Sequence, residues 1–554
     1  MSIYGKCTEI IKTGDLMFYS SKRILSLYML FTVCFMAILV RIVYINFSSY
    51  SDATNSNSGR TVIIGTTRGK IYDRNRELLV DTTNRLVAAV TPVAASAKYL
   101  SDVFSSANFS GKIEKGYPFV ATVTEEIDNE LIKTFNVPVR YSQNDVATHI
   151  VGYVDSNGEG VTGIEKAFDA ELSGYGGRLS VTFEVDALGR VLAGMDKTVK
   201  NESYNSSGGV MLTLDKRVQQ LTEEALAQSN IESGCAVVMH IDSGDVYALA
   251  SVPSFDRNNI EESLEAENSP LVNKALSSYS AGSVFKSLVA AFALENGISE
   301  EFSHSCTGSI KIGNLKFSCY GHTAHGKINM KTALQKSCNG YFIKLMETLD
   351  SEKFLDFCKK LGFGESIRLC ECIESEAGLL PDERTLASEA GRANFAFGQG
   401  ELLVTPLHMV KAYHVLAMGT LAEPRLIYGF CDGKGKIIKE GKKKAERLLS
   451  EETVAKMREL LFSVTDEGIA TNAKSDLMKL AGKTGTAQSG VYNENGEEIY
   501  RTWFVGFYPA NNPHYIVAVM NEDGTGGNTD CAGVFKNICE WIACDSLRGE
   551  GMEA

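Results

Sequence analysis

Three short motifs, widely separated in this chain, carry residue types that can perform acyl-transfer chemistry. They are a Ser-x-x-Lys motif at 283–286, a Ser-x-Asn motif at 337–339 and a Lys-Thr-Gly-Thr motif at 483–486. A serine hydroxyl is a poor nucleophile at neutral pH, so it needs a base within hydrogen-bond reach and donors aimed at the oxyanion that it creates. The motifs together predict a serine acyl-transfer site, provided that folding brings them together.

Ser283 and Lys286 are predicted to share one face of a helix. An apolar stretch follows Ser283 and is closed by Asn296 and Gly297, which is typical of a buried helix with a glycine stop. Residues three apart are neighbours on a helix, and the exposed backbone donors at its start favour a developing negative charge. Lys286 can accept the serine proton only if burial or a nearby cation lowers its pKa, and Lys483 is a candidate for that cation.

The Lys-Thr-Gly-Thr motif follows an apolar run at 477–481, which predicts a strand. Gly485 would allow another backbone to approach this strand closely. An extended peptide could then pair with it, while Lys483, Thr484 and Thr486 hold a terminal carboxylate.

The three motifs, in this order, resemble those of the penicillin-binding proteins. Further strings resemble the class B, monofunctional members: Asn-Lys-Ala-Leu at 273–276 with Tyr279, Phe-Gly-Gln-Gly at 397–400 with Thr405 and Pro406, Arg-Gly-Lys-Ile-Tyr-Asp-Arg-Asn at 68–75, Gly-Ile-Glu-Lys at 163–166 and Asp-Ala-Leu-Gly-Arg at 186–190. Two positions depart from the family pattern, because Ala281 stands where proline is usual and Arg76 where glycine is usual. Neither departure removes a catalytic group.

The resemblance implies a peptidoglycan D,D-transpeptidase that crosslinks stem peptides through a serine acyl-enzyme, releases D-alanine and is inhibited by beta-lactams. It implies that Ser283 is the nucleophile and Lys286 its base, that Ser337 relays a proton to the departing amine, and that Asn339 binds the donor peptide's amide. Lys483, Thr484 and Thr486 would receive the donor carboxylate, Gly485 would belong to the same substrate-binding strand, and the backbone amides of Ser283 and Thr486 would hold the oxyanion. Two alternatives stay open: a D,D-carboxypeptidase or beta-lactamase-type hydrolase, and a noncatalytic beta-lactam sensor or scaffold.

The N-terminal part of the chain predicts a membrane anchor. The run from Ile24 to Val40 is uncharged and, continued past Arg41 to Ile45, is long enough to span a bilayer. A cleaved signal peptide is the alternative, but no Ala-x-Ala site directly follows the run. Basic residues precede it, so we expect the N-terminus in the cytoplasm and the rest of the chain outside; they are Lys6, Lys12, Lys22 and Arg23.

Composition shifts along the 554 residues predict four parts. With the family resemblance, these parts are expected to be a cytoplasmic tail at 1–23, a transmembrane helix at 24–45, a pedestal or dimerisation-type domain at 46–208 and a transpeptidase domain at 209–554. A polar connector from Ser48 to Gly59 would follow the membrane span. The pedestal lacks an acidic catalytic string, so the resemblance implies that it is noncatalytic. A partner glycosyltransferase of the SEDS type, with other wall-synthesis membrane proteins, is implied by resemblance only.

Hairpin patterns near both ends of the last part predict its fold. Cys235 to Ile241 and Val246 to Val252 flank one turn, and Trp503 to Tyr508 and Tyr515 to Met520 flank another, with helical material between them. This order predicts an α+β fold in which an antiparallel sheet is covered by helices, the architecture that the penicillin-recognising family uses.

Charge excludes one class of partner. The formal net charge of -13 argues against nucleic-acid binding, which depends on lysine and arginine neutralising phosphates. A lysine run at 442–444 lies in a polar segment that begins at Asp432 and is predicted to be a solvated hairpin without a ligand.

Three of the 13 cysteines and one of the eight histidines lie between or within the first two motifs in a pattern that suits zinc: Cys306, Cys319, His325 and Cys338. Three thiolates and one imidazole form a closed tetrahedral set. His322 is another possible fourth ligand, but some class B relatives carry a metal site with the histidine placed as His325 is. The sequence therefore predicts a structural zinc and no organic cofactor, with a Cys306–Cys319 disulfide or reduced thiols as alternatives.

Overall fold

The computed structural model describes residues 22–44, 59–101, 109–439, 441 and 446–550. The predicted polar connector up to residue 58, the basic residues Lys6 and Lys12, and the lysine run at 442–444 lie outside the described residues. Gly59 begins a strand. The segment that starts at Asp432 does form the turn of a hairpin, because the strands Ile427–Cys431 and Ile437–Lys439 pair in antiparallel fashion.

The chain divides into two compact units that interleave along the sequence. The smaller unit contains residues up to Ile64, Leu86–Phe135 and Ser180–Lys200, and the larger contains Gly65–Arg85, Asn136–Leu179 and Asn201–Ala554. The predicted domain boundary at residue 208 stays a prediction. Two segments before it, Gly65–Arg85 and Asn136–Leu179, belong to the larger unit.

The smaller unit is built mainly around a three-stranded sheet. Strand Thr83–Val90 lies between Phe119–Val123 and Ile132–Val139, and helices Ala94–Ser101 and Ser110–Glu114 connect two of the strands. Apolar residues of these elements form a core of Ala88, Val90, Leu100, Val123 and Ile132. A second sheet contains the strands Gly59–Thr67, Gly177–Glu184 and Thr198–Glu202.

The larger unit is organised by a five-stranded antiparallel sheet. Its strands are β1 (Gly234–His240), β2 (Val246–Val252), β3 (Ala481–Tyr492), β4 (Glu498–Tyr508) and β5 (Tyr515–Gly524). Their spatial order is β2-β1-β5-β4-β3, so the two ends of the domain meet at the β1–β5 pair. Strand β3, which carries Lys-Thr-Gly-Thr, is an edge strand and therefore has backbone donors and acceptors to offer a ligand.

Helices cover this sheet in two groups. Helix α1 (Lys216–Ala227) packs on β2 and on α6 (Ala532–Glu550). Helices α2 (Lys286–Glu295), α4 (Pro406–Met418) and α5 (Glu451–Asp466) pack together, with α4 against β5 and α5 against β3. Helix α3 (Asn339–Met346) also packs against α2. The predicted α+β fold, an antiparallel sheet covered by helices, is confirmed.

Local sequence explains where these helices begin. The Asp215 carboxylate accepts from the backbone of Arg217 and Val218 at the start of α1. At α4 the Thr405 hydroxyl accepts from the backbone N–H of His408, and Pro406 occupies the first helical position. Such caps satisfy backbone donors that have no partner inside the helix.

The remaining elements of the larger unit are short. Its helices are Thr148–Val151, Gly163–Ala167, Asp169–Gly174, Ile260–Leu264, Met330–Gln335, Ser351–Lys360, Glu383–Ala387, Glu389–Ala396 and Gly527–Asp530. Its other strands are Lys70–Tyr72, Gly209–Leu212, Tyr279–Ser280, His304–Cys306, Ser309–Ile312, Leu315–Ser318, Gly326–Ile328, Arg368–Cys370, Ile373–Glu374, Leu403–Val404, Thr420–Leu421, Ile427–Cys431, Ile437–Lys439 and Glu446–Arg447.

Within the described ranges, one helix is long and apolar enough to cross a bilayer. It runs from Lys22 to Tyr44, and its side chains are exposed. This helix suits the predicted membrane anchor.

Candidate active site

Ser283 lies in a tight 3-10 turn, Gly282–Phe285, that leads directly into α2. Gly282 has a positive φ of 59°, and a side chain there would crowd Ala487 of β3. The turn is fixed on one side because the Gly282 N–H donates to the Gly398 carbonyl over 2.8 Å. On the other side the Trp503 indole donates to the Ser280 carbonyl over 3.0 Å. These bonds hold the half-buried Ser283 beside β3.

Lys286, the first residue of α2, has a fully buried side chain. Its ammonium donates to the Ser337 carbonyl at 2.7 Å, to the Asn339 Oδ1 at 2.6 Å and to the Ser337 hydroxyl at 3.2 Å. Burial lowers the pKa of Lys286 to about 8. The first and second motifs are thus joined by one amine that loses its proton more easily than an ordinary lysine.

The hydrogen bonds of Lys286 within the described chain all go to Ser337 and Asn339 and none to Ser283. The sequence predicted that Lys286 would stand beside the Ser283 hydroxyl, and its role as the base for that hydroxyl stays a prediction. Catalytic hydrogen bonds are often long in the free enzyme and tighten when substrate is bound.

The Ser-Cys-Asn motif is a turn that starts α3. Ser337 has a left-handed φ of 51°, which is uncommon for a residue with a side chain. The Asn339 amide nitrogen donates to the Ser318 carbonyl over 2.8 Å, while its oxygen accepts from Lys286. Cys338 is the N-cap of α3 and accepts from the backbone N–H of Tyr341. The motif is therefore held on both sides of its central cysteine.

Strand β3 carries the third motif next to the Ser283 turn. Gly485 lies close to the chain before Ser283, because a Cβ on Gly485 would meet the Ala281 carbonyl at 3.1 Å. The Lys483 side chain is fully buried and donates to the Thr484 carbonyl over 3.2 Å. Burial, together with the charge of Lys286, lowers the pKa of Lys483 well below its ordinary value. The charge of Lys286 thus acts on Lys483. The sequence suggested the reverse effect, of Lys483 on Lys286, but burial alone lowers the pKa of Lys286.

The four residues predicted to bind zinc come together. The ligand atoms of Cys306, Cys319, His325 and Cys338 all lie within 4.8 Å of one another. The Cys319 sulfur is 3.7 Å from those of Cys306 and Cys338, and the His325 Nδ1 is 3.5 Å from the Cys306 sulfur. Cys306 and Cys319 are therefore not joined by a disulfide, whose sulfurs would be about 2.05 Å apart. His322, the other candidate ligand, lies outside this cluster.

These separations fit the edges of a zinc tetrahedron. With Zn–S bonds of about 2.3 Å and a Zn–N bond of about 2.1 Å, tetrahedral angles place sulfurs about 3.8 Å apart and sulfur and nitrogen about 3.6 Å apart. The donor set of three thiols and an imidazole is also one that zinc prefers. The residues present thus fit the metal in both chemistry and spacing.

Some residues that shape the site were not identified from the sequence. Trp503 fixes the strand before the nucleophile, and the Gly527 N–H donates to the Thr486 hydroxyl over 3.2 Å. The Tyr279 hydroxyl donates to Glu522 over 2.9 Å. A signal for Trp503 existed, because it is one of only two tryptophans, but Gly527 and Glu522 lie in segments without a catalytic motif.

The arrangement defines a class of protein: a serine acyltransferase with a lysine-containing site beside an edge strand. The sequence profile described as the penicillin-binding protein transpeptidase domain matches residues 234–540, which is more than half of the chain. The chain therefore belongs to the penicillin-binding protein transpeptidase family. The predicted recognition and enzyme class are confirmed.

Individual relatives extend this similarity beyond the catalytic domain. The chain is 28% identical over 563 residues to Stage V sporulation protein D of Bacillus subtilis, with 93% of this chain and 84% of that protein covered. It is 27% identical over 537 residues to the probable peptidoglycan D,D-transpeptidase PenA of Neisseria gonorrhoeae, with 91% and 89% covered.

Solved structures share the fold. Penicillin-binding protein 3 from Mycobacterium tuberculosis, complexed with ampicillin, is 24% identical and has a TM-score of 0.64, covering 88% of this chain and 96% of that one. The transpeptidase domain of a peptidoglycan glycosyltransferase from Eggerthella lenta has a TM-score of 0.63 at 24% identity, covering 88% and 99%.

Proposed function

We propose that this chain is a peptidoglycan D,D-transpeptidase in which Ser283 is acylated by the terminal D-alanyl-D-alanine of a donor stem peptide. The convergence of the three motifs on buried Lys286 carries the proposal: Lys286 contacts Ser337 and Asn339, while β3 lies against the Ser283 turn. A buried amine of lowered pKa is what a serine without a histidine needs as its base.

In the proposed first step the Ser283 oxygen attacks the carbonyl carbon between the two D-alanines and its proton passes to uncharged Lys286. A neutral amine has two N–H groups and one lone pair. Its two N–H groups can keep the short bonds to the Ser337 carbonyl and to Asn339, which leaves the lone pair for the hydroxyl proton. The backbone amides of Ser283 and Thr486 hold the negative oxygen.

In the second step the peptide bond breaks and D-alanine leaves. The proton returns to the departing nitrogen through the Ser337 hydroxyl, which lies 3.2 Å from Lys286. An amine of a neighbouring stem peptide then attacks the ester and regenerates Ser283. The Asn339 amide nitrogen has a second hydrogen beyond its bond to Ser318, and in this scheme that hydrogen binds the donor backbone.

Lys483, Thr484 and Thr486 receive the donor's terminal carboxylate in this scheme, with Gly485 leaving room for the peptide to lie along β3. Beta-lactams carry a carboxylate and an activated amide, so they acylate Ser283 by the same route. Supporting this, one protein of similar fold, penicillin-binding protein 3 of Mycobacterium tuberculosis, has been solved with aztreonam and with ampicillin.

The test is covalent labelling by a fluorescent penicillin. Ser283→Ala should abolish labelling while the protein stays folded, whereas Ser287→Ala, four residues further along, should retain it. Persistent labelling of Ser283→Ala would place the nucleophile elsewhere. A wild-type adduct that turns over rapidly would contradict the transpeptidase assignment and favour a hydrolase.

The proposed zinc site is structural. Cys306, Cys319, His325 and Cys338 would hold the ion, and the metal would supply folding free energy by crosslinking three segments. The chain itself links this cluster to the catalytic motif, since Cys338 lies between Ser337 and Asn339 and Cys319 follows Ser318, to which Asn339 donates. The cluster would therefore fix the turn that contacts Lys286.

Metal analysis tests this assignment. We expect about one zinc per chain in protein purified without chelators, as a four-ligand site requires, and Cys306→Ser should lower both the zinc content and the melting temperature. Cys358→Ser, at a buried cysteine outside the cluster, is the matched control. If wild-type protein without metal has the same melting temperature as the purified protein, the proposed structural zinc site is wrong.

The proposed location is the outer side of a cell membrane, with a single span and a cytoplasmic N-terminus. The helix Lys22–Tyr44 supports the span, and Lys22 and Arg23 at its beginning support the orientation. Membrane-bound wall-synthesis proteins, including a SEDS-type glycosyltransferase, are the proposed partners. Family resemblance supports this choice.

A further inference from the structure

The segment from Thr525 to Asp530 lies beside the carboxylate-binding strand, although it carries no catalytic motif. Its Gly527 N–H donates to the Thr486 hydroxyl oxygen over 3.2 Å. A Cβ on Gly527 would lie 2.5 Å from the carbonyl oxygens of Gly485 and Trp503, so the segment's backbone packs directly on β3 and β4. Only glycine allows this close approach.

The bond from Gly527 determines what the Thr486 hydroxyl can do. A hydroxyl that accepts from an N–H still has one hydrogen to donate. In the described part of the chain no protein acceptor takes the hydrogen of the half-buried Thr486 hydroxyl. The hydroxyl is thus oriented as a donor for a ligand on β3, and a donor is what a carboxylate requires.

Asp530 holds the segment in this position. Its Oδ2 accepts from the backbone N–H groups of Thr525 at 2.7 Å and Gly526 at 3.0 Å, and from the Thr502 hydroxyl at 3.0 Å. Its Oδ1 accepts from the Thr525 hydroxyl at 3.0 Å and lies 2.9 Å from the Thr529 hydroxyl, whose hydrogen it shares with the Gly526 carbonyl. Although burial raises the pKa of Asp530, these bonds outweigh it and lower the pKa overall.

The geometry also connects Asp530 to β3 through β4. Thr502 lies directly across the strand pair from Thr486, so Asp530 is bonded to the cross-strand neighbour of the residue that Gly527 orients. The groups that donate to Asp530 are all neutral. Its charge therefore serves to fix the surrounding loop, since a carboxylate has about four acceptor sites whereas a side-chain amide has about two.

We infer that Asp530 is a positioning residue for recognition of the donor's terminal carboxylate. It fixes the Thr525–Asp530 segment so that the Gly527 N–H holds the Thr486 hydroxyl as a donor to that carboxylate. The inference rests on the proposed role of Thr486 in carboxylate binding. It adds a residue outside the three motifs that contributes to the preference for a donor with a terminal carboxylate.

The test compares two D-alanyl thioester donors, one with a free terminal carboxylate and one with that group converted to an amide. Asp530→Asn should lower kcat/KM for the carboxylate donor by about tenfold, mainly through KM, the effect of weakening a hydrogen bond to a charged group. Its kcat/KM for the amide donor should change less than about twofold, since the charged ligand group is absent. Asp523→Asn, at an exposed nearby carboxylate, is the control and should change neither.

Combining two substitutions tests whether Asp530 acts through the Thr486 hydroxyl. Thr486→Val should lower kcat/KM for the carboxylate donor more than for the amide donor. Adding Asp530→Asn should lower kcat/KM for the carboxylate donor little further, because both changes act on one hydroxyl. Thr502→Val, which removes one donor to Asp530 at nearly constant volume, should give a smaller loss of the same kind and serves if Asp530→Asn folds poorly.

Equal losses with both donors, or losses of Asp530→Asn and Thr486→Val that multiply, would show that Asp530 is only structural and overturn the inference. If Thr486→Val itself leaves the preference for the carboxylate donor unchanged, the proposed role of Thr486 fails instead. The two failures are thus distinguishable.

Discussion

Two clusters of buried charge in the larger unit differ in how their charges are matched. In one, the fully buried Glu165 accepts from Arg68 at 2.8 Å and pairs with Arg140 at 2.7 Å. Arg140 also pairs with Asp81 at 3.1 Å, and Lys70 pairs with Asp81 at 2.8 Å. In the other cluster, Lys286 and Lys483 are buried with no carboxylate within ion-pair distance in the described chain.

The difference separates a cluster suited to holding the fold together from one suited to proton transfer. Although burial alone would lower it, the charges of Glu165 and Asp81 raise the pKa of Arg140. Burial without such partners lowers the pKa values of Lys286 and Lys483 instead. A matched network fixes segments that are distant in sequence, whereas an unmatched lysine can exchange a proton at a pH near neutrality.

Replacing Lys286 by methionine should produce the largest effect on chemistry. We expect the rate constant of acylation by a penicillin to fall by about 10²–10⁴, the usual contribution of a general base. The free energy of unfolding should change little, because the cost of burying an unmatched cation disappears together with its hydrogen bonds. Stopped-flow or gel-based acylation kinetics and chemical denaturation measure the two quantities.

The exposed Lys353→Met is the control for this change and should leave both quantities unaltered. A Lys286→Met variant that is acylated at the wild-type rate would remove the base from the mechanism.

Replacing Glu165 by glutamine should have the opposite pattern. Two arginines would lose their shared carboxylate, and we expect the free energy of unfolding to fall by about 3–5 kcal/mol, as when one partner of a buried ion pair is removed. The folded fraction should still be acylated at nearly the wild-type rate. Urea denaturation followed by fluorescence, with labelling measured in parallel, tests both points.

Glu171→Gln, at an exposed position in the adjacent short helix, should be neutral. A large loss of acylation in fully folded Glu165→Gln would mean that the matched network also contributes to chemistry.

The sequence predicted the residues of the site better than their contacts. The three motifs, the two hairpins that form most of the central sheet and the cysteine–histidine quartet were all identifiable, because residue type, order and alternation are local properties. The bonds from Lys286 to Ser337 and Asn339 join residues more than 50 positions apart. They depend on how α2 packs against α3, which local patterns do not specify.

The same limit applies to the supporting residues. The hydrogen-bond donors to the Asp530 carboxylate are backbone N–H groups and threonine hydroxyls, which have no distinctive sequence pattern. The pairing of Arg68 with Glu165 spans 97 positions. Both features follow from tertiary packing, and family resemblance alone drew attention to the strings that contain Arg68 and Glu165.

The pH dependence of acylation tests the central claim, an uncharged buried Lys286 acting as base, most directly. Since burial lowers the pKa of Lys286 to about 8, its reactive form increases as the pH rises towards that value. The rate constant of acylation by a penicillin should therefore rise by about tenfold per pH unit below pH 8 and level off above it. A profile that is flat through this range, or that rises until the ordinary lysine pKa of about 10.4, would contradict the claim.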